Sequence, residues 1–138
     1  MPIMRASSRN TLIAPETNFT GKVMQDPIVA GSAPSRMRAT VVSFSPGART
    51  AWHTHPVGQA LYCTYGVGRL QFKGEQVQEL HPGDSVWIPP DLIHWHGAAP
   101  DRLFAHIAMS ENAEDGSGAV WLDKVSDEDY AAPPAAID

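Results

Sequence analysis

Three histidines and a glutamine able to hold a metal ion stand at close spacing in the middle of the chain. The segment PGARTAWHTHPVGQALYCTYG places His53 and His55 two residues apart. On an extended chain that spacing turns both imidazoles to one face. Gln59 follows four residues later. Parity would allow it on the same face, although Pro56 and Gly58 signal a turn between. A second segment, PGDSVWIPPDLIHWHG, carries His94 at the start of another extended run. Three imidazoles and one side-chain carbonyl can bind a divalent first-row metal and leave coordination positions open. A lone His-x-His more often marks ordinary polar residues near turns, so the second segment carries weight.

Other residues could take part in proton transfer or line a pocket. His106 interrupts the apolar run Leu103 to Met109, where a buried imidazole needs a partner. An unperturbed histidine titrates near pH ~6.5, which suits a general base. The competing role is a core histidine bonded to a backbone carbonyl. His96 lies two residues after His94 and shares its face on a continuous strand, as a pocket donor or a surface residue. His81 sits in a Pro-Gly turn and reads as structural or exposed. Trp52, Trp87 and Trp95 flank the two segments and could wall a pocket, but barrel core is the commoner role. Cys63 reads as an inert buried thiol. Thr40 and Val42 share one strand face and could border the pocket.

These residues need rigid elements to hold them, and the chain punctuates itself with Gly and Pro between short β-like runs. Arg38 to Phe44 reads as a strand ended by Ser45-Pro46-Gly47. Gln59 to Tyr65 is a second. Leu70 to Lys73 and Gln76 to Leu80 flank Gly74-Glu75 as a hairpin with a two-residue turn. Ser85 to Ile88 reads as a buried strand after the turn His81-Pro82-Gly83-Asp84. Ile93 to Gly97, Leu103 to Met109 and Ala119 to Lys124 complete the set. Strands at this spacing predict an all-β sandwich or barrel.

The boundaries follow from the same pattern. Residues 1–35 read as an N-terminal arm, in which Phe19 to Val23 could add a strand to the barrel or to a partner subunit. Residues 36–125 form the barrel, and 126–138 a C-terminal turn and tail. Ser126 before three acidic residues predicts a helix N-cap and first turn leading to Tyr130, and Ala131 to Asp138 a frayed end.

Composition narrows the function class. The chain has 138 residues, enough for one domain with its own core. Its net charge of −5, from 10 basic and 15 acidic residues without a basic run, argues against nucleic acid, which needs clustered Lys and Arg. One cysteine permits no intrachain disulfide. The N-terminal residues lack a secretory apolar core, and no apolar run approaches the roughly 20 residues of a membrane span. A cytoplasmic protein acting on a small molecule, with no nucleic acid or membrane partner, is the expectation.

The two segments resemble the paired motifs of the cupins. Gly47, five residues, His53-x-His55, three residues, Gln59, six residues and Gly66 follow the first motif. Gly83, five residues, Pro89, four residues and His94 follow the second. Gln59 stands where the family usually has Glu, Asp91 where it has Gly, and Ala98 where it has Asn. The resemblance implies a single-domain jelly-roll β-barrel with His53, His55, Gln59 and His94 as ligands of a divalent metal.

Further runs are similar to a small group of bacterial monocupins that includes manganese-dependent hydroxynitrile lyases. They are FTGKV and the DP at Asp26, then HPGD, HWHGAAP and Val125-Ser126-Asp127-Glu128. This likeness implies reversible cleavage of a cyanohydrin such as mandelonitrile to a carbonyl compound and hydrogen cyanide. It also implies manganese as cofactor, His106 as general base, and Thr40, Val42 and Ser110 as positions that tune substrate scope, beside the pocket role that spacing allows His96.

Manganese is not dictated by the ligands alone, since imidazole and amide also suit iron, nickel or zinc. A neutral Gln59 leaves the full charge of a dipositive ion uncompensated, which would acidify a bound hydroxyl. Two rival readings remain. Three-His cupins resemble quercetinase-like dioxygenases when iron or copper fills the site, and a metal-dependent small-molecule binding module is the third. Small cupins also resemble homodimers or homotetramers, and unpaired barrel edges invite such association.

Overall fold

The computed structural model describes residues 3–137. A 3-10 turn at Ala6–Ser8 precedes β1 (Leu12–Ile13), β2 (Phe19–Thr20), β3 (Val23–Ala30) and β4 (Met37–Phe44). Then come β5 (Arg49–Thr50), β6 (His53–Thr54), β7 (Gln59–Gly66), β8 (Gly68–Phe72) and β9 (Gln78–Leu80). β10 (Ser85–Ile88), β11 (His94–Ala98), β12 (Phe104–Glu111) and β13 (Val120–Trp121) follow, and helix α1 (Asp127–Tyr130) closes the order. No helix among the described residues is long and apolar enough to cross a membrane.

Two antiparallel sheets form the all-β barrel. The first runs β1-β3-β4-β12-β7-β10. In the second, β11 pairs with β5 and β6 along one edge and with β8 along the other, while β2 extends β5, β13 extends β6 and β9 extends β8. Phe44, Leu61, Cys63, Leu70, Ile88 and Phe104 pack in the core. Alternation along β7 explains their placement. Gln59, Leu61 and Cys63 are buried, while Tyr62 and Thr64 face out, as a period of two requires.

β11 departs from that alternation, because all five of its residues are buried. A second core explains this. Trp95 turns away from His94 and His96 and packs with Trp52, Val77, Val125 and Tyr130. Its indole N–H donates to Gln71 Oε1 at 2.9 Å. The C-terminal segment forms the lid of this core. Ser126 caps α1 by accepting from the Asp129 N–H at 3.1 Å, in keeping with its expected role. Buried Arg49 donates to the Val125 carbonyl at 2.9 Å and to Asp127 at 2.8 Å, with its guanidinium 4.4 Å from the centre of the Tyr130 ring. The Tyr130 hydroxyl donates to the Ala98 carbonyl. The strand that carries two histidines is thus pinned from its outer side.

Several expectations change. β2 and β3 take up residues 19–30 of the stretch read as an arm and pair with β5 and β4. The hairpin turn is longer than two residues. Phe72 pairs with His94 on β11 instead of β9, and Val77 turns into the second core. β10 is half-exposed, with Trp87 60% accessible on its outer face, so Trp87 is neither core nor cavity wall. The tail is held as far as Ala135, whose N–H donates to the Val77 carbonyl at 2.8 Å. Backbone geometry also explains one departure from the motif. Asp91 has φ 62°, the one non-glycine with positive φ among the described residues. Asp is among the few side chains that tolerate this left-handed region.

Candidate functional site

β6, β7 and β11 bring the motif residues together at the barrel's inner wall. His94 pairs with His53 across β11 and β6, and their ring centres are 4.2 Å apart. His55 lies just past β6, with its ring 4.9 Å from His53 and 5.5 Å from His94. Gln59 opens β7 and is buried, its side chain beside that of His55. The turn between them is real: Gly58 has φ 86° and its N–H donates to the His55 carbonyl at 3.3 Å.

Three of these imidazoles are oriented in the same way. Nδ1 of His53, His55 and His94 meets the carbonyls of Ala51, Gly118 and Leu92 at 2.9, 2.8 and 2.9 Å. A carbonyl only accepts, so each ring carries its proton on Nδ1 and presents the Nε2 lone pair. His55 Nε2, His94 Nε2 and Gln59 Oε1 are buried with no hydrogen-bond partner in the protein. Unpaired buried polar atoms are costly, and a cation would satisfy all three. The residues present therefore fit a divalent metal.

Burial keeps these rings neutral, as metal binding requires. His94 is held down to about 4, chiefly by desolvation. His53 is lowered well below its usual value by desolvation and then by His94. Desolvation also lowers His55, opposed by its bond to the Gly118 carbonyl and by the neighbouring Gln59 side chain.

His96 complicates the ligand set. Ring nitrogens of His53, His94 and His96 lie within 4.8 Å of one another, so this trio could also hold a metal. The hydrogen bonds separate the two sets. His96 Nδ1 faces His106 Nε2 at 3.0 Å instead of a carbonyl, so its tautomer is coupled to His106. We favour the set whose three rings are each fixed by a carbonyl.

His106 sits midway along β12, opposite Val42 on β4 and Cys63 on β7. It is fully buried, beside the stacked pair Phe44 and Phe104, 5.5 Å from each ring centre. Desolvation lowers its pKa to about 3. Its partner is His96, not the backbone carbonyl that a plain core histidine would use. One proton is shared between the two rings, leaving His106 Nδ1 and His96 Nε2 as buried atoms without partners.

A cavity of about 1060 Å³ opens beside the histidines. His53, His55, Gln59, His96 and His106 line it, together with Thr40, Val42 and Ser110. His81 lies outside it and meets Glu79 at 2.8 Å, and Cys63 is buried with its thiol pushed up to about 11, first by burial and then by Asp84. Trp52 and Trp95 belong to the second core. Sequence reasoning missed Trp121, which lines the cavity with its ring 4.7 Å from that of His53. It also missed Ile3, Met4 and Leu12 of the arm, which wall the same space. Exposed apolar residues before the first motif were the available signal.

Comparison with known proteins agrees with the fold. Residues 40–105 match the family described as a cupin domain. The chain is 45% identical over 130 residues to (R)-mandelonitrile lyase of Granulicella tundricola, covering 94% of this chain and 98% of that protein. A cupin-like protein of Thermotoga maritima shares 39% identity and superposes with a TM-score of 0.80, covering 86% of this chain and 89% of the other. The polyketide cyclase RemF of Streptomyces resistomycificus has a TM-score of 0.73 at 18% identity over 94% of this chain and 90% of its own, a likeness of fold alone. The chain belongs to the cupin family, in which it is similar to a hydroxynitrile lyase.

Proposed function

We propose that this protein is a metal-dependent hydroxynitrile lyase that splits cyanohydrins such as (R)-mandelonitrile into an aldehyde and hydrogen cyanide. The observation that carries the proposal is one cavity shared by His53, His55 and Gln59 with the His96–His106 pair. The 45% identity to a mandelonitrile lyase supports it.

His53, His55, Gln59 and His94 would hold the metal, manganese by the likeness to the lyases. Bound there, a divalent ion supplies Lewis acidity toward the substrate oxygen. Every proposed ligand is neutral, so no ligand charge offsets it.

His106 takes the hydroxyl proton of the cyanohydrin. Burial holds His106 down to about 3, so it is unprotonated and free to accept at neutral pH. It is a weak base, and the proton transfer relies on a hydroxyl that a bound metal would acidify. His96 holds the ring in place through the 3.0 Å contact and can share the incoming proton. As the carbonyl forms, the C–C electron pair leaves with cyanide, and His106 returns the proton to give hydrogen cyanide. Atoms and charge balance. Thr40, Val42 and Ser110 face the substrate from the β4 and β12 side and set which substituents fit. In the reverse direction His106 takes the proton from hydrogen cyanide.

The test is benzaldehyde release from (R)-mandelonitrile by manganese-loaded protein, against the same protein after chelation. Release well above the chelated background is expected. Equal rates in both samples would refute the reading, and oxygen uptake by iron-loaded protein would then favour a dioxygenase.

A further inference from the structure

Charge around the cavity points to a substrate class. The chain is acidic overall, at −5, yet the cavity lining contains Arg5, Arg9 and Arg38 and, among the described residues, no Asp or Glu. The proposed metal ligands add no negative charge either. Lining of one sign within low-dielectric walls concentrates ions of the opposite sign.

Arg38 is the best placed of the three. It stands on β4 two and four residues before Thr40 and Val42, so all three side chains share one face. Arg36 and Arg49 are engaged with Glu111 and Asp127, whereas Arg38 makes no ion pair among the described residues. A methyl placed on Gly118 would sit 3.5 Å from Arg38 Nη2 and 2.9 Å from Asn112 Oδ1. Gly118 is the residue whose carbonyl fixes His55.

Register separates the two ends of the proposed site. Arg38 pairs with Ser110 and Val42 with His106, four residues along the same ladder. Strand rise puts those rows roughly 13 Å apart.

We propose that the cavity takes small substrates bearing a carboxylate, held by the Arg38 guanidinium at one end with the reacting carbon at the His106 end. This rests on the lyase reading for the reacting end alone. The anionic end follows from the lining. Arginine suits the role because its planar fork matches a carboxylate at two points.

The test measures binding of benzoate and of its neutral counterpart benzamide to the manganese-loaded protein by calorimetry. In the wild type, benzoate binds at least tenfold more tightly. In Arg38→Gln the ratio of affinities falls to near one, and in Arg38→Lys it is intermediate. Arg38 is exposed, and unchanged thermal melts verify the fold of both variants. A wild-type ratio near one overturns the proposal. So does a high ratio that persists in Arg38→Gln, which would place the carboxylate on another group. Cyanohydrin cleavage is assayed separately. Its absence with the ratio intact removes the lyase reading and leaves the anion site, and cleavage with a ratio near one does the reverse.

Discussion

Replacing His106 with Ala separates catalysis from metal binding. Loss of a positioned general base costs about 10²–10⁴ in rate, equivalent to about 3–5 kcal/mol of barrier. The stability cost is of a different origin. The substitution removes the 3.0 Å contact to His96 and leaves a buried Nδ1 without its partner. It also opens space beside Phe44 and Phe104. An orphaned buried group costs about 1–3 kcal/mol, and incomplete collapse of the space adds to it. A total of about 2–4 kcal/mol leaves a typical domain folded at 25 °C. His106 bonds to none of the proposed ligands, so metal content by atomic absorption stays at the wild-type level. The assay is the initial rate of benzaldehyde release at saturating (R)-mandelonitrile, with urea unfolding on the same preparation. His106→Asn, nearer in volume, guards against a general packing defect and shows the same loss of rate. Undiminished turnover in either folded variant refutes the role. Lost turnover accompanied by lost metal would make His106 a support of the metal site instead.

Three further outcomes follow from the same geometry. Gln59→Glu adds one negative charge to a neutral ligand set, so competition against a chelator will show manganese held roughly tenfold more tightly, with slower turnover as the ion's acidity is offset; weaker binding contradicts this. Arg49→Met removes the buried clamp on Val125 and Asp127 and destabilises by about 2–4 kcal/mol in urea unfolding; a change under ~0.5 kcal/mol, the usual range for a surface substitution, shows that α1 docks without it. The chelated protein loses stability on acidification. His94 and His106 sit at about 4 and about 3 when folded and near ~6.5 when unfolded. Above that value both states are neutral and stability is complete. Below it only the unfolded chain takes up protons, so stability falls with pH by about 1.4 kcal/mol per unit for each ring until the folded values are reached. Denaturant midpoints flat between pH 7 and 5 refute the assignment.

The barrel was legible because its signals are local. Pro-Gly at 46–47 and 82–83 and Pro-Pro at 89–90 break the chain near where the strands end, and alternation along Gln59 to Thr64 matches the observed burial. Ser126 before Asp127, Glu128 and Asp129 marked the short helix through a mechanism that needs no tertiary context. What failed was what neighbours decide. Trp87 reads as core by type, but β10 is the edge strand of its sheet and the outer face on which Trp87 stands is open. Ile93 to Gly97 showed a histidine stripe but no reason for Trp95 to be buried. That reason lies some thirty residues further on, in Tyr130.

The site divides along the same line. His53, His55, Gln59 and His94 share two short motifs, so their convergence could be anticipated from spacing. The pairing of His96 with His106 could not, because it joins strands of opposite sheets and depends on both rings being on inner faces at the same level. Each ring alone had a bland explanation, as a surface or a core histidine. Only the contact removes both explanations at once. A core histidine would give its nitrogen to a carbonyl, as His53, His55 and His94 do. His106 gives its nitrogen to another imidazole beside a cavity. Two neutral rings carry one N–H in the bond between them and one on an outer nitrogen. The remaining outer nitrogen can accept a further proton and release it again, whereas a ring bonded to a carbonyl has its proton fixed. That difference is the structural argument for assigning three histidines to metal and two to proton transfer.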